Sequence, residues 1–493
     1  MNLSSARLNR CALRIGLVAA CALSAIVAAG TTVTAGPCST VFIPNPAPWA
    51  SDEFGFSAAV SGDVAVVGAY RDDPGDVDDA GSAYVYHFDG SAWIPEQPIP
   101  NPGPVTGEWF GYSVAVSGDV AVIGAYDDDI AFSNGSASIY RYNGSAWLLE
   151  QTLFNPAAEF GDRFGSSVAV SGNVAVVGAF GDRPGGVALA GSVYVYRYNG
   201  STWLLDKTIP NPAPATFDVF GWSVAVSGDV AVIGARADDP GGVFGAGSAY
   251  VYRYNGSDWL LDLAIPNPEP AVDDDFGRSV AVSGDVAMVG ASDDDPGGVN
   301  ASGSAYVYRY NGSAWLLDQA IPNPDPPGID LFGFSVAVSG DVAVVGAHSD
   351  SPGGAIDAGS TYVYRFDGSA WLLDSTMANP QPTAGEQFGV SVAVSDDVAW
   401  VGARFDDRGS ETDAGSAYVF DFGCAAVCCA GDFDASNDVT TLDIPDFVAA
   451  LLAGDTCPVA PACCAGDSNA DGLVDGGDVS DFVVQLLAGG ACP

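Results

Sequence analysis

Seven Phe-Gly pairs divide this chain, at Phe54, Phe110, Phe164, Phe220, Phe276, Phe332 and Phe388, with successive offsets of 56, 54, 56, 56, 56 and 56 residues. Each is followed, 13 residues after its glycine, by a Gly-Ala pair, the first at Gly68 and the last at Gly402. Self-similarity at a period of this length marks a stacked or radial array, in which one unit buries its apolar faces only against its neighbours. The repeat overrides the length prior, under which 493 residues would suggest about three separate domains.

One unit, residues 279–317, reads as four strands. Residues 279–283 and 285–291 are Val- and Ala-rich runs on either side of Gly284, a hairpin signal. A loop of Asp, Pro and Gly follows at 292–303, then an alternating strand at 304–310, an Asn311-Gly312 turn and a last strand at 314–321. The first two strands are apolar on both faces, as where sheets cover both sides. Small alanines suit a crowded centre, and Tyr and Trp a wider outer layer. Seven such sheets around an axis make an all-β, seven-bladed β-propeller.

The ends of the array predict how the ring closes. The seventh unit stops after its third strand, whereas Val41-Phe42-Ile43-Pro44-Asn45-Pro46 ahead of the first unit matches the end of a fourth strand, Ile321-Pro322-Asn323-Pro324. The amino-terminal segment should therefore complete the last blade. In that alignment Cys38 and Cys424 flank the missing hairpin turn, and a disulfide between them is expected; closing a loop of that length would contribute roughly 5–6 kcal/mol at most in the chain-entropy model.

The recurring Phe-Gly-x-Ser-Val-Ala-Val-Ser-Gly, Val-Gly-Ala and Gly-Ser-Ala-Tyr-Val-Tyr segments resemble the FG-GAP family over about residues 38–424, specifically its bacterial secreted branch. The resemblance implies a propeller like that of integrin α subunits, whose repeats serve adhesion and in part carry calcium in an Asp-x-Asp-x-Asp-Gly loop. The equivalent loops here, Asp293-Asp294-Asp295-Pro296-Gly297-Gly298 and Asp238-Asp239-Pro240-Gly241-Gly242, lack that alternating spacing, so they read as solvated turns.

Charge narrows the partners. Sixteen Lys and Arg against 61 Asp and Glu give −45, with Lys207 the single lysine. Such acidity argues against nucleic acid and anionic membrane. Residues 1–35 read as an export signal, with Arg7, Arg10 and Arg14, an apolar run over 15–29, and Val33-Thr34-Ala35 as a cleavage site. That run is short for a membrane span and none follows, so a secreted or cell-surface protein is expected. Eight cysteines remain after Cys11 and Cys21 leave with the signal, an even count that favours disulfides.

Two positions vary while the unit around them stays constant. After Phe-Gly stand Phe56, Tyr112, Ser166, Trp222, Arg278, Phe334 and Val390; after Gly-Ala stand Tyr70, Tyr126, Phe180, Arg236, Ser292, His348 and Arg404. In a propeller both lie near the face that carries the loops between second and third strands and the connections between blades. Aspartates crowd that face: Asp72-Asp73, residues 127–129, Asp238-Asp239, residues 293–295, residues 273–275 and Asp330. Aromatics and arginines among acidic loops have the composition of a partner-binding face. Drift of undemanding repeat positions accounts for the variation equally well. The repeated tryptophans, Trp93 to Trp371, read as core. Asn-Gly-Ser at Asn143, Asn199, Asn255 and Asn311 matches a glycosylation acceptor but suits a hairpin turn better. No catalytic constellation is evident: His87 and His348 fall at different repeat positions, and no nucleophile elbow, zinc helix or phosphate loop occurs.

The chemistry changes after Cys424. Residues 428–458 and 463–493 are duplicates offset by 35, each with a Cys-Cys-Ala-Gly-Asp opening, an acidic loop, an apolar helix and a closing Cys-Pro. The second loop places Asp467, Asn469, Asp471, Asp475 and Asp478 at positions 1, 3, 5, 9 and 12, with the Leu473 carbonyl at 7 and Gly472 at 6, the spacing of an EF-hand-like calcium loop. The first offers Asp432, Asp434, Ser436, Asp438 through its carbonyl, Thr440 and Asp443, with Asn437 in place of the glycine. Two such loop–helix units resemble a type I dockerin over about residues 429–490. The resemblance implies calcium-dependent folding and docking onto a cohesin-like protein. Thr441-Leu442 and Gly476-Gly477, at the positions that set cohesin choice, are unlike each other, which weakens that partner in particular.

These readings give an export signal at 1–35, a propeller at 36–424 and a calcium-binding tail at 425–493. The expected function is non-enzymatic binding or adhesion, with the propeller as platform and the tail as a docking module. The alternatives are a carbohydrate-binding or carbohydrate-active extracellular protein, with polysaccharide as partner, and a structural envelope component.

Overall fold

The computed structural model describes residues 39–422, apart from 97, 129–133, 327 and 408–410. The export signal, Cys38, Cys424 and the whole tail with its calcium loops lie outside these residues. Seven four-stranded sheets, each antiparallel throughout, make up the described chain. In blade five the strands run Phe276–Ser283, Val286–Ala291, Ser304–Tyr310 and Trp315–Pro322, in that order from the axis outward. The last sheet closes as the sequence predicts. Ser39–Pro44 pairs antiparallel with Ser416–Asp421, with Ile43 opposite Ala417, and so supplies its fourth strand. Among the described residues, no helix is long and apolar enough to cross a membrane.

The hydrophobic core lies between blades, which is why the second strands are apolar on both faces. Phe276 is fully buried with Val230, Val232 and Val251 of blade four on one side and Val289, Tyr306 and Trp315 on the other. Burying one such Phe contributes about 1.5–3 kcal/mol. The same packing joins Ile43, Trp400 and Val419 of the closing blade to Phe54, Val67 and Tyr84 of blade one, so the ring has no hydrophobic seam.

Polar latches hold the sheets in register. Ser279 Oγ donates to Gly333 O of the next blade at 2.8 Å, and its counterpart Ser391 closes the circle onto Gly55 O at 2.7 Å. At the opposite end of the inner strands, turn amides donate backward to serines, as Gly284 N does to Ser227 Oγ at 3.1 Å and Gly62 N to Ser395 Oγ at 3.0 Å. The outer girdle repeats a third contact. Asp262 Oδ2 accepts from Arg253 Nε at 3.1 Å and from Trp315 Nε1 of the next blade at 3.2 Å, while the Arg253 guanidinium lies 3.9 Å from the Tyr310 ring. The repeated tryptophans therefore serve the blade junctions. The Asn-Gly turns are local too: Asn311 Oδ1 accepts Ser313 N at 2.9 Å and Ala314 N at 3.0 Å.

Two glycines of the repeat are dictated by close approach. A Cβ on Gly290 would overlap the carbonyl oxygen of Gly333 in the next blade. Gly277 has φ of +93°, and its missing side chain leaves room for Ser248 O of the preceding blade. Gly277 and Arg278 form a β-bulge, since Phe276 pairs with Ala291 and Ser279 with Gly290. A bulge re-aims the side chain it contains. The variable residue after Phe-Gly thus leaves the ladder at the mouth of the central axis.

Candidate functional site

The antiparallel path puts the loops between second and third strands and the connections between blades on one face. Backbone bonds tie them together there, as Asp273 N to Phe244 O at 2.9 Å and Asp275 N to Gly245 O at 3.2 Å. The carboxylates of this face divide into two kinds. One in each connection is buried: Asp52, Glu108, Asp162, Asp218, Asp274, Asp330 and Glu386. Each accepts from the amide of an asparagine seven residues earlier, as Asp274 does from Asn267 Nδ2 at 2.7 Å and Glu386 from Asn379 Nδ2 at 2.6 Å. Burial raises Asp274 and brings Asp52 and Glu108 to about 7 and Asp162, Asp218 and Asp330 to about 6.

The loop acids are also engaged. Asp294 accepts the Tyr306 hydroxyl at 2.8 Å, and Asp295 accepts Ala301 N at 2.6 Å, so the pair braces its own loop around the Pro296–Gly298 turn. Asp295 and Asp239 are exposed, as expected of solvated turns, whereas Asp294 is buried and faces inward. The face is less negative than a count of aspartates suggests. Asp73, Asp78 and Asp79 bring their carboxylates within 4.8 Å of one another, the one such acidic group found among the described residues.

At the centre of the face the variable residues meet in two arcs. Phe56 lies 4.6 Å from Tyr70 and 4.9 Å from Tyr112, and Tyr112 lies 4.3 Å from Tyr126. Opposite, Phe180 packs on Trp222 at 4.8 Å and Phe334 on His348 at 4.1 Å. Arginines bridge the rings. Arg236 stacks on Trp222 at 4.1 Å, Arg278 lies 5.1 Å from Trp222 and 4.1 Å from Phe334, and Arg404 lies 5.5 Å from Phe56. With Arg163 lying 6.0 Å from Tyr126 and 5.0 Å from Phe180, eleven of the fourteen variable residues, all but Ser166, Ser292 and Val390, belong to one cluster at the mouth. Tyr70, Phe180 and His348 are buried there and the others half-buried.

The ionisable groups of the mouth differ in how well they are matched. Arg236 Nη1 meets Asp275 Oδ2 at 2.7 Å, and Arg404 reaches Glu53 at 3.7 Å and Gln387 Oε1 at 2.7 Å. Glu53 also accepts the Tyr70 hydroxyl at 3.0 Å. The backbone N–H of Arg278 donates to Asp275 O at 2.9 Å, whereas its guanidinium has neither ion pair nor hydrogen bond with the described residues. Burial, reinforced by Arg236, lowers it to about 10. His348 is pushed down to about 3 by burial and by the charges of Arg404 and Arg278, which keeps it neutral at ordinary pH.

Around the mouth the connections expose large apolar side chains: Trp49, Val105, Phe160, Phe217, Val272 and Ile329, with Phe244 and Ile356 from the loops. A cavity of about 410 Å³ opens between blades two and three, lined by Trp109, Tyr126, Phe160, Arg163, Arg183 and Phe217 among others. Trp109, Arg163 and the exposed rim are functional candidates that repeat alignment misses, because the connections differ most between units. The constant Asn and the acid seven residues on were visible as a pattern. Their burial was not.

A family model described as FG-GAP repeat matches residues 48–86, 96–140, 147–196, 211–252, 267–308, 315–364 and 371–420. No curated protein matches the chain. The seven matches take in all seven blades and more than half of the sequence, and the chain belongs to the FG-GAP repeat family.

Proposed function

We propose that this protein is an exported, non-enzymatic recognition protein whose propeller binds a protein partner through the face around the aromatic–arginine mouth. The observation that carries the reading is the departure from repetition at that face. Serine latches, asparagine clamps and blade cores recur around the ring, whereas the mouth combines Tyr112, Trp222, Arg278 and Phe334 at one repeat position. Exposed apolar residues surround it, and contiguous patches of that kind mark interaction surfaces. In this reading the dockerin-like tail folds on calcium held by the loops at 432–443 and 467–478 and docks the protein to a second, cohesin-like partner.

The test is capture of partners from the host's envelope and secreted fractions by the full chain, with calcium and with chelator. Exchanging Trp222 and Arg236 together for alanine should abolish capture by the propeller face; unchanged capture counts against that face. Replacing Asp467 and Asp478 should abolish calcium-induced helicity in the tail, and a tail equally helical in chelator would sink that part. A carbohydrate-binding reading is favoured by one feature, the cavity lined by Trp109, Tyr126, Phe160 and Phe217, because aromatic faces suit sugar rings. Saccharide affinity that survives loss of Trp222 and Arg236 would select it. Capture of nothing by any variant would leave the structural envelope role.

A further inference from the structure

Three donors at the mouth lack partners. The Arg278 guanidinium makes no ion pair or hydrogen bond with the described residues, and the buried Arg236 Nε and His348 Nδ1 have no hydrogen-bond partner. The two buried atoms are unmatched polar groups of a kind rare in native proteins, and what holds the half-buried Arg278 guanidinium calls for a specific account. The aromatic contacts of Arg278 supply one. Trp222 and Phe334, at 5.1 and 4.1 Å from the guanidinium carbon, hold the group through ring contacts, which consume none of its N–H donors. A guanidinium held in this way presents a rigid fork that matches two oxygens of one oxyanion.

Asp275 and Asp293 act on that fork electrostatically, but neither forms an ion pair with it. Arg236 is tied to Asp275, Arg404 lies near Glu53, and Asp293 accepts the Ser292 hydroxyl at 2.7 Å. His348 stacks on the same Phe334 ring as Arg278, and in its Nδ1–H tautomer it adds a neutral donor. We propose that the centre of the mouth is an oxyanion site that takes the carboxylate of an acidic side chain presented by a protein partner. This rests on the face being a protein-recognition surface. Two observations favour a single protein carboxylate over a polyanion: the net charge of −45 repels polyanions, and the apolar rim with Phe160, Phe217, Val272 and Ile329 suits apolar residues flanking one acid.

The probes are terminally blocked tripeptides, acetyl-Leu-Glu-Leu-amide and its Gln and Lys counterparts, titrated calorimetrically into the full chain. The glutamate peptide should bind at least ten-fold tighter than the glutamine peptide. Arg278→Gln should reduce that preference to less than two-fold. Arg278→Lys keeps the charge without the fork and should fall between them, which separates loss of the site from misfolding. Equal affinity for the three peptides, a preference for the lysine peptide, or no binding of any up to about 5 mM would overturn the oxyanion site. Partner capture that depends on Trp222 but not on Arg278 would leave the recognition face standing and remove only its carboxylate chemistry.

Discussion

Asn267 and Asp274 show how much of the acidity of this chain acts inside the fold. The pair recurs in every connection, with the acid two residues before Phe-Gly, and the carboxylate accepts an asparagine amide in a buried position. Asn267→Ala should destabilise the propeller by about 1–3 kcal/mol, the usual cost of leaving a buried acceptor short of a donor. Urea unfolding read by tryptophan fluorescence measures it, and a change below about 0.5 kcal/mol would place the clamp outside the stability of the fold. Gly290→Ala should cost more, about 3–5 kcal/mol, because the new methyl meets Gly333 backbone that cannot move without opening the blade junction. At this scale the sequence was legible only in part. The asparagine spacing and the Gly-Ala pairs stand out in the repeat, yet a string of letters does not distinguish a buried aspartate such as Asp274 from the exposed Asp273 beside it.

At the scale of the element, closure by Ser39–Pro44 decides whether the last blade has an open edge. Without that strand, Ser416–Asp421 would present unpaired backbone, and open edges invite association. A chain lacking residues 39–44 should melt at a lower temperature than the parent and self-associate, seen by calorimetry and light scattering. An equally stable monomer would show that the ring closes by side-chain packing alone. Strand number, order and closure were readable because the Val-Ala runs, the Asn-Gly turns and the stray Ile-Pro-Asn-Pro each specify one local geometry. The bulge at Gly277-Arg278 was not readable, since nothing in Phe-Gly-Arg-Ser announces where the ladder pairing resumes. In that blade the bulge turns Arg278 out of the ladder at the mouth, as the matching bulges do for Tyr112, Ser166 and Val390.

At the scale of the whole molecule, the buried connection acids make stability depend on pH. Asp52, Glu108, Asp162, Asp218 and Asp330 titrate at about 6 to 7 when folded, above the ordinary range of a carboxylate in an unfolded chain. The folded protein therefore binds more protons than the unfolded one between about pH 4 and 7, so stability is fully present below that window and falls as pH rises through it. The melting temperature should be higher at pH 5 than at pH 7.5, and the reverse order would contradict the upward shift that burial gives these acids. Repulsion among 61 acidic residues acts in the same direction and is screened by salt, so the gap should narrow at high ionic strength. What the sequence conveyed at this scale was the ring and its negative charge; which acids brace loops and which face solvent emerges only when the blades are assembled.

The central claim is that one face of the propeller is its recognition surface. Hydrogen exchange of the full chain, alone and with the partner captured from the host fractions, tests it most directly. Protection should concentrate in the connections and loops around the mouth, at residues 46–56, 102–112, 212–222, 236–247 and 268–278, which hold Trp49, Val105, Phe217, Phe244 and Val272. Protection confined to the Asn-Gly turns of the opposite face, or to the outer strands with their exposed Leu204, Leu260 and Leu316, would contradict it.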